Sequence, residues 1–206
     1  MNQSIFNQFL RLKNIADLGM LYATNEYDRE RYAELNAISL ELLGKISGYT
    51  NEELQICFPL VKDYPTPKVD VRGILLSPDK KILLVKEATD GRWSLPGGWA
   101  DIGFTPKEVI IKECKEETGL EVEVKSLLAV FDKRMHAHPP QAAYVYKMLF
   151  YCEALSADFN TGFDIEHAAY FALDELPELS VDRILESQIR LVYDKIEKGD
   201  FTCWSD

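Results

Sequence analysis

The sequence predicts an α/β or α+β sandwich preceded by a small all-helical domain. Three observations predict it. Residues 1 to about 62 repeat their apolar side chains at helical spacing. "KDYPTPK" (62–68) then interrupts the chain with prolines. After that break, short β-rich runs are mixed with amphipathic helices rather than alternating with them, which argues against a Rossmann sheet. The expected domains are 1–66, helical, and 67–206, mixed.

The elements follow in chain order. Ile5, Phe9, Leu12 and Ile15 form the inward stripe of a first helix. Tyr32, Leu35, Ile38, Leu42 and Ile46 form that of a second. Thr50 with Glu53 is a capping box that opens a third, short helix. No catalytic cluster of polar residues occurs in this leader, so it reads as a packing or dimerisation domain. "VDVRGILLS" and "KILLVKE" read as a hairpin around a "PDK" turn. "LEVEVKSLLAVFDKR" and "AAYVYKMLFYCEA" read as strands separated by "HAHPP", and "AAYFAL" as a further strand. Ser180 reads as the N-cap of a last helix, with Ile184, Leu185, Ile189, Val192 and Ile196 inward and Gly199 just past its end.

Composition bounds the function. A chain of 206 residues buries a substantial core without staples. No stretch is apolar for long enough to span a membrane. The N-terminal stretch lacks the leading positive charge and continuous apolar core of a signal peptide. Cys57, Cys114, Cys152 and Cys203 form no CxxC and read as reduced thiols, so a cytoplasmic protein is expected. The net charge of −11, with no Lys/Arg cluster, argues against a nucleic-acid partner. A small anionic substrate remains compatible with it if divalent cations screen the repulsion.

The chemistry concentrates in "LPGGWADIGFTPKEVIIKECKEETGL" (95–120). Thr105 is an N-cap, Pro106 suits the first helical position, Glu108 completes a capping box and Gly119 ends the helix. Glu113, Glu116 and Glu117, at i, i+3 and i+4, share one helix face. Ile110, Ile111 and Cys114 form an adjacent apolar stripe that seats the helix on a sheet. Hard oxygen ligands gathered this way suit Mg²⁺ or Mn²⁺. A solvated acidic face is the alternative. The preceding "PGG" favours the metal, because glycines let backbone approach a ligand.

The stretch "GGWADIGFTPKEVIIKECKEETGL" resembles the Nudix box, G-x5-E-x7-R-E-U-x-E-E-x-G-U with U aliphatic. Gly98 matches its first glycine, Glu113, Glu116 and Glu117 its core acids, and Gly119-Leu120 its close, with Cys114 in the first aliphatic place. The resemblance, over about 67–206, implies an α/β/α sandwich built on a mixed sheet. It also implies metal-dependent hydrolysis of a nucleoside diphosphate linked to another moiety. The product would be a nucleoside monophosphate and a phosphorylated remainder. The helical leader resembles that of a bacterial subgroup acting on CDP-choline or ADP-ribose, with CDP-choline the first expectation and a homodimer expected through the leader. A catalytically inactive nucleotide-binding regulator is the reading of another class. Two positions depart from the box: its first glutamate falls on Phe104 and its arginine on Lys112. The bracing salt bridge between those positions therefore cannot form, and hydrophobic packing of Phe104 is the expected substitute.

The family's roles carry over as expectations. Glu113 and Glu117 would bind the metal, Glu116 would be a ligand or a partner behind one, and the Gly97 carbonyl would add an oxygen. Glu116 and Glu117 are the expected catalytic acids, together with a further acid on a loop before a late strand. Asp164 and Glu166 are available there, Glu166 preferred. Arg72, Lys86 and Arg92 are candidate phosphate contacts. Trp93 and Trp99 would stack on a base or pack under the loop, packing being favoured for Trp99. His136 and His138 have no cysteine or acid neighbours, so "RMHAHPPQ" reads as a substrate-side or dimer-contact loop rather than a metal site.

Overall fold

The computed structural model describes residues 3–59, 61–141, 143–156, 159–162 and 164–206. The chain divides into two compact units, residues 1–67 with 140–144, and residues 68–139 with 145–206.

The first unit holds α1 (Gln3–Tyr22), α2 (Glu26–Ser47) and α3 (Asn51–Cys57). Asn25 caps α2, and Thr50 with Glu53 forms the expected capping box on α3. Phe6, Leu10, Leu43 and Leu54 make the core. The stripe read from the sequence is out of phase with it, because Ile5, Leu12, Ile15 and Ile38 are exposed. Polar residues take part of the interior instead. Asp17 receives Lys13 Nζ at 2.5 Å and Asn36 Nδ2 at 2.7 Å, fixing α1 against α2. A fully bonded buried polar group of this kind sets register at little net gain in stability.

The second unit is a mixed-sheet sandwich. One sheet has the order β4 (Gly97–Trp99), β1 (Lys68–Leu75), β6 (Val145–Ala154), β5 (Val122–Asp132), β8 (Trp204–Ser205). The other has the order β3 (Trp93–Ser94), β2 (Ile82–Glu87), β7 (Ile165–Phe171). The pairs β1–β6 and β5–β8 are parallel, the others antiparallel. Leu83 and Val85 join Val109, Ile110 and Cys114 of α4 (Pro106–Thr118) in one core. Ile82 and Leu84 join Ile189, Val192 and Ile196 of α5 (Glu186–Glu197) in the other. Alternation along β2 thus feeds a helical layer on each side.

The fold departs from two sequence readings. The expected β1–β2 hairpin does not form. The strands lie in different sheets and meet at one isolated bridge, Leu76 to Ile82. Both are buried on both faces, so alternation carries no information about their partners. Ser180 opens a single turn rather than α5, since its carbonyl accepts from Arg183 and Ile184 while α5 starts at Glu186. The Ser180 hydroxyl donates to Asp90 Oδ2 at 2.7 Å. The four cysteines are free, and among the described residues no helix is long and apolar enough to cross a membrane.

Candidate active site

The ends of α4 set its position. Thr105 Oγ1 accepts from the Glu108 N–H, Glu108 Oε2 accepts from the Thr105 N–H at 2.7 Å, and Gly119 closes the helix. Val109, Ile110 and Cys114 enter the core, whereas Ile111, expected beside them, is partly exposed. This seating turns the acidic face onto β4. Glu117, buried, accepts from the Gly97 N–H at 2.8 Å. Glu113 lies so close to Gly98 that a Cβ there would sit 2.7 Å from its Oε1. Gly97 has φ 139, and an added Cβ would collide with the Val71 carbonyl oxygen. Gly97 is therefore required by its close approach to the β1 backbone, while Gly98 leaves room for the Glu113 carboxylate.

Burial lifts the Glu117 carboxyl to about 8, with Arg72 and the Gly97 N–H pulling the other way and Glu113 and Glu87 adding to the rise. Burial likewise raises Glu113, partly opposed by Lys112. Glu116 is exposed and 3.6 Å from Lys112 Nζ. Among the described residues, no three acid, histidine or cysteine side chains already converge on one metal-sized point. The donors nonetheless suit a hard divalent cation: carboxylates that crowd one strand, at least one of which burial leaves short of compensating positive charge.

The loop-to-helix brace survives in altered form, which corrects the reading of Phe104 and Lys112. Lys112 Nζ donates to Asp101 Oδ2 at 2.9 Å and stands 5.9 Å over the Phe104 ring. An acid three positions before Phe104 thus replaces the missing glutamate, and Phe104, 50% exposed, receives the cation instead of packing inward. Asp101→Asn is expected to release Lys112 to Glu116 and raise the Mg²⁺ concentration for half-activation about three- to tenfold. The melting temperature should shift by no more than about 3 °C, since solvent screens an exposed pair of this kind. Metal titration of activity alongside thermal melts measures both.

Of the expected substrate contacts, the structure brings only Arg72 to these acids. Its charge is felt at Glu117 and Glu113. Lys86 is tied to Glu166 at 2.6 Å, and Arg92 to Glu178 at 2.8 Å beside a separate cleft of about 570 Å³. Trp93 packs edge-on against Phe171 and His167. Among the described residues no bond joins Lys86, Arg92 or Trp93 to the α4 acids. Glu166 lies within β7 rather than on the preceding loop, because pairing with β2 begins at Ile165. Asp164 remains outside the strand, and its charge reaches Glu87. Trp99, expected to pack, is 52% exposed, with Lys68 Nζ 5.4 Å over its ring. His138 is buried between Val181 O and Gln188 Oε1, and burial pushes its imidazole down to about 4. His136 bonds Asp206.

Sequence reasoning missed a group of buried charges beside the acids. Asp70, Glu87, Lys133 and Lys147 are all buried, and Arg183 donates to Glu87 at 3.0 Å. Their signal was present: an acid or a lysine inside an otherwise apolar strand run, as in "VDVRGILL" and "YVYKMLF", must be paired to be buried.

A mixed-sheet α/β/α sandwich with a Gly-Gly strand facing an E-x2-E-E helix defines a hydrolase of the Nudix class. The chain belongs to the Nudix hydrolase family: the NUDIX domain matches residues 66–192. A second family, the UDP-X-like N-terminal oligomerisation domain, matches residues 3–58. The chain is 40% identical over 193 residues to YjhB of Bacillus subtilis, provisionally named an ADP-ribose pyrophosphatase, covering 92% of this chain and 91% of that one. It is 36% identical to the ADP-ribose pyrophosphatase of Methanocaldococcus jannaschii, over 62% of this chain and 76% of that one. Among solved structures it resembles a UDP-X diphosphatase, with TM-score 0.64, 35% identity and all of both chains covered.

Proposed function

We propose that the protein hydrolyses the pyrophosphate of a nucleoside diphosphate linked to another moiety, using Mg²⁺ or Mn²⁺. The seating of Glu113 and Glu117 against Gly98 and Gly97, with Arg72 beside them, carries this reading. Glu113, Glu117 and the Gly97 carbonyl would hold the metal, with Glu116 free to join them. When bound, such an ion neutralises phosphate charge and acidifies a water. Arg72 orients a phosphate, Glu116 or Asp164 takes the proton of the attacking water, and exposed Trp99 offers a face for a base. Glu166, held by Lys86, is the less available base.

ADP-ribose stands first among substrates, by the names of two relatives. A UDP-linked moiety is the second reading, supported by the structural relative aligned over both whole chains. CDP-choline, first from resemblance alone, is the third. The test is a panel of ADP-ribose, a UDP-sugar, CDP-choline, NADH and nucleoside triphosphates with each metal, scored for released monophosphate. Turnover of none of these would overturn the reading.

The helical unit is proposed to form a homodimer. Ile5, Leu12, Ile15 and Tyr22 are exposed along one face of α1. Light scattering on a sizing column is expected to give the dimer mass, and Leu12→Glu with Ile15→Glu to shift it to monomer. A monomeric wild type would refute this.

A further inference from the structure

A line of buried charge runs through the mixed-sheet unit to Leu95, just before β4. Asp70 and Lys147 are register partners across β1 and β6 and form an ion pair, both buried. The other oxygen of Asp70 accepts from Arg72 Nε at 2.9 Å. Arg72 Nη1 donates to Ser94 Oγ at 3.3 Å and to the Leu95 carbonyl at 3.0 Å. Among the described residues, nothing accepts from Arg72 Nη2.

Stability alone does not explain this line. A buried ion pair is often matched or bettered by apolar side chains of similar volume. Lys147 lies outside the acidic motif and bonds none of the α4 acids. It holds one oxygen of Asp70, so that the carboxylate cannot swing and its other oxygen fixes the plane of the guanidinium. A planar fork fixed at Nε and Nη1 leaves its remaining edge in a defined direction.

We propose that Asp70 and Lys147 are positioning residues. Acting through Arg72, they make one edge of the guanidinium hold the Leu95 carbonyl, two residues before Gly97, while Nη2 meets a substrate phosphate. The inference rests on the pyrophosphatase reading for its substrate, and its test can fail separately from that reading.

The probe is imidodiphosphate, a non-hydrolysable pyrophosphate, titrated calorimetrically with Mg²⁺ into the full chain. Asp70→Asn alone strands two buried cations, so the informative variant is Asp70→Asn with Lys147→Met, which removes a charge of each sign. Its melting temperature is expected within a few degrees of wild type, its affinity for the probe about tenfold weaker and its kcat/KM lower by at least as much. In an Arg72→Lys background the same pair of changes should add nothing, because their effect passes through Arg72. The double variant with wild-type affinity, or with the same loss in the Arg72→Lys background, would overturn the proposal, as would a wild type that does not bind the probe. Should the variant misfold, Lys147→Met alone, which leaves Asp70 paired with Arg72, is expected to weaken the probe severalfold; unchanged affinity there also overturns it. Wild-type binding with this dependence, but no turnover of any panel substrate, defeats the pyrophosphatase reading and leaves the positioning role standing.

Discussion

Glu117→Gln is expected to give a folded protein with at most about one-thousandth of wild-type turnover at saturating Mg²⁺. The amide is nearly isosteric, and its oxygen can still accept from the Gly97 N–H now bonded at 2.8 Å. Strand β4 therefore keeps its anchor while the helix loses a negative charge. The sign of the accompanying stability change follows from burial. Without metal, the folded protein holds a proton on Glu117 up to about pH 8, whereas an ordinary glutamate releases it near 4.5. Between those values the folded state binds more protons than the unfolded chain, so this group makes stability fall as pH rises. Glutamine has no such slope. In a chelator, the variant should match wild type near pH 5 and melt higher at pH 8. Mg²⁺ at pH 8 should raise the wild-type melting temperature and move the variant little. A variant that keeps more than a few per cent of wild-type turnover would show that Glu117 is not a metal ligand.

Much of this site is legible in the sequence, because capping, helix length and the acid spacing of α4 are local properties. Thr105, Glu108 and Gly119 do what their chemistry dictates. The sequence misleads where a second segment decides the outcome. Strands β1 and β2 are apolar on both faces, so nothing in either states which sheet it joins. Ser180 is a good N-cap residue, but its hydroxyl is taken by Asp90, 90 positions away. Lys112 looks orphaned when compared only with Phe104, because the acid that pairs with it has moved to Asp101. The helical stripe of α1 slips by one position because Lys13 and Asp17, polar by type, are buried as a pair. Ile5, Leu12 and Ile15 are thereby left on the outside. In each case the sequence pattern is sound and a long-range partner changes what it means.

Gly97→Ala is expected to cost about 3–5 kcal/mol, by combining an unfavourable backbone conformation with overpacking, and to take activity below about one per cent. Gly97 pairs with Arg72 across β4 and β1 at φ 139, and its missing Cβ is the space in which β1 lies, with Arg72 Cα only 2.8 Å from where that atom would stand. Neither neighbour is the end of a flexible side chain. The strand β4 must move, and with it the Gly97 N–H bonded to Glu117 and the Leu95 carbonyl bonded to Arg72. A melting temperature lower by about 10 °C or more is the corresponding readout. Gly98→Ala makes the contrast. Its added methyl meets Glu113 Oε1 at 2.7 Å, the tip of a side chain that can rotate away. Stability should therefore change by less than about 1 kcal/mol, while the Mg²⁺ concentration for half-activation rises about tenfold as a ligand is displaced. The two neighbouring substitutions separate what holds the strand from what is proposed to hold the metal. Equal effects on melting, or a Gly97→Ala protein that melts with wild type, would mean that β4 does not lie against β1 as described.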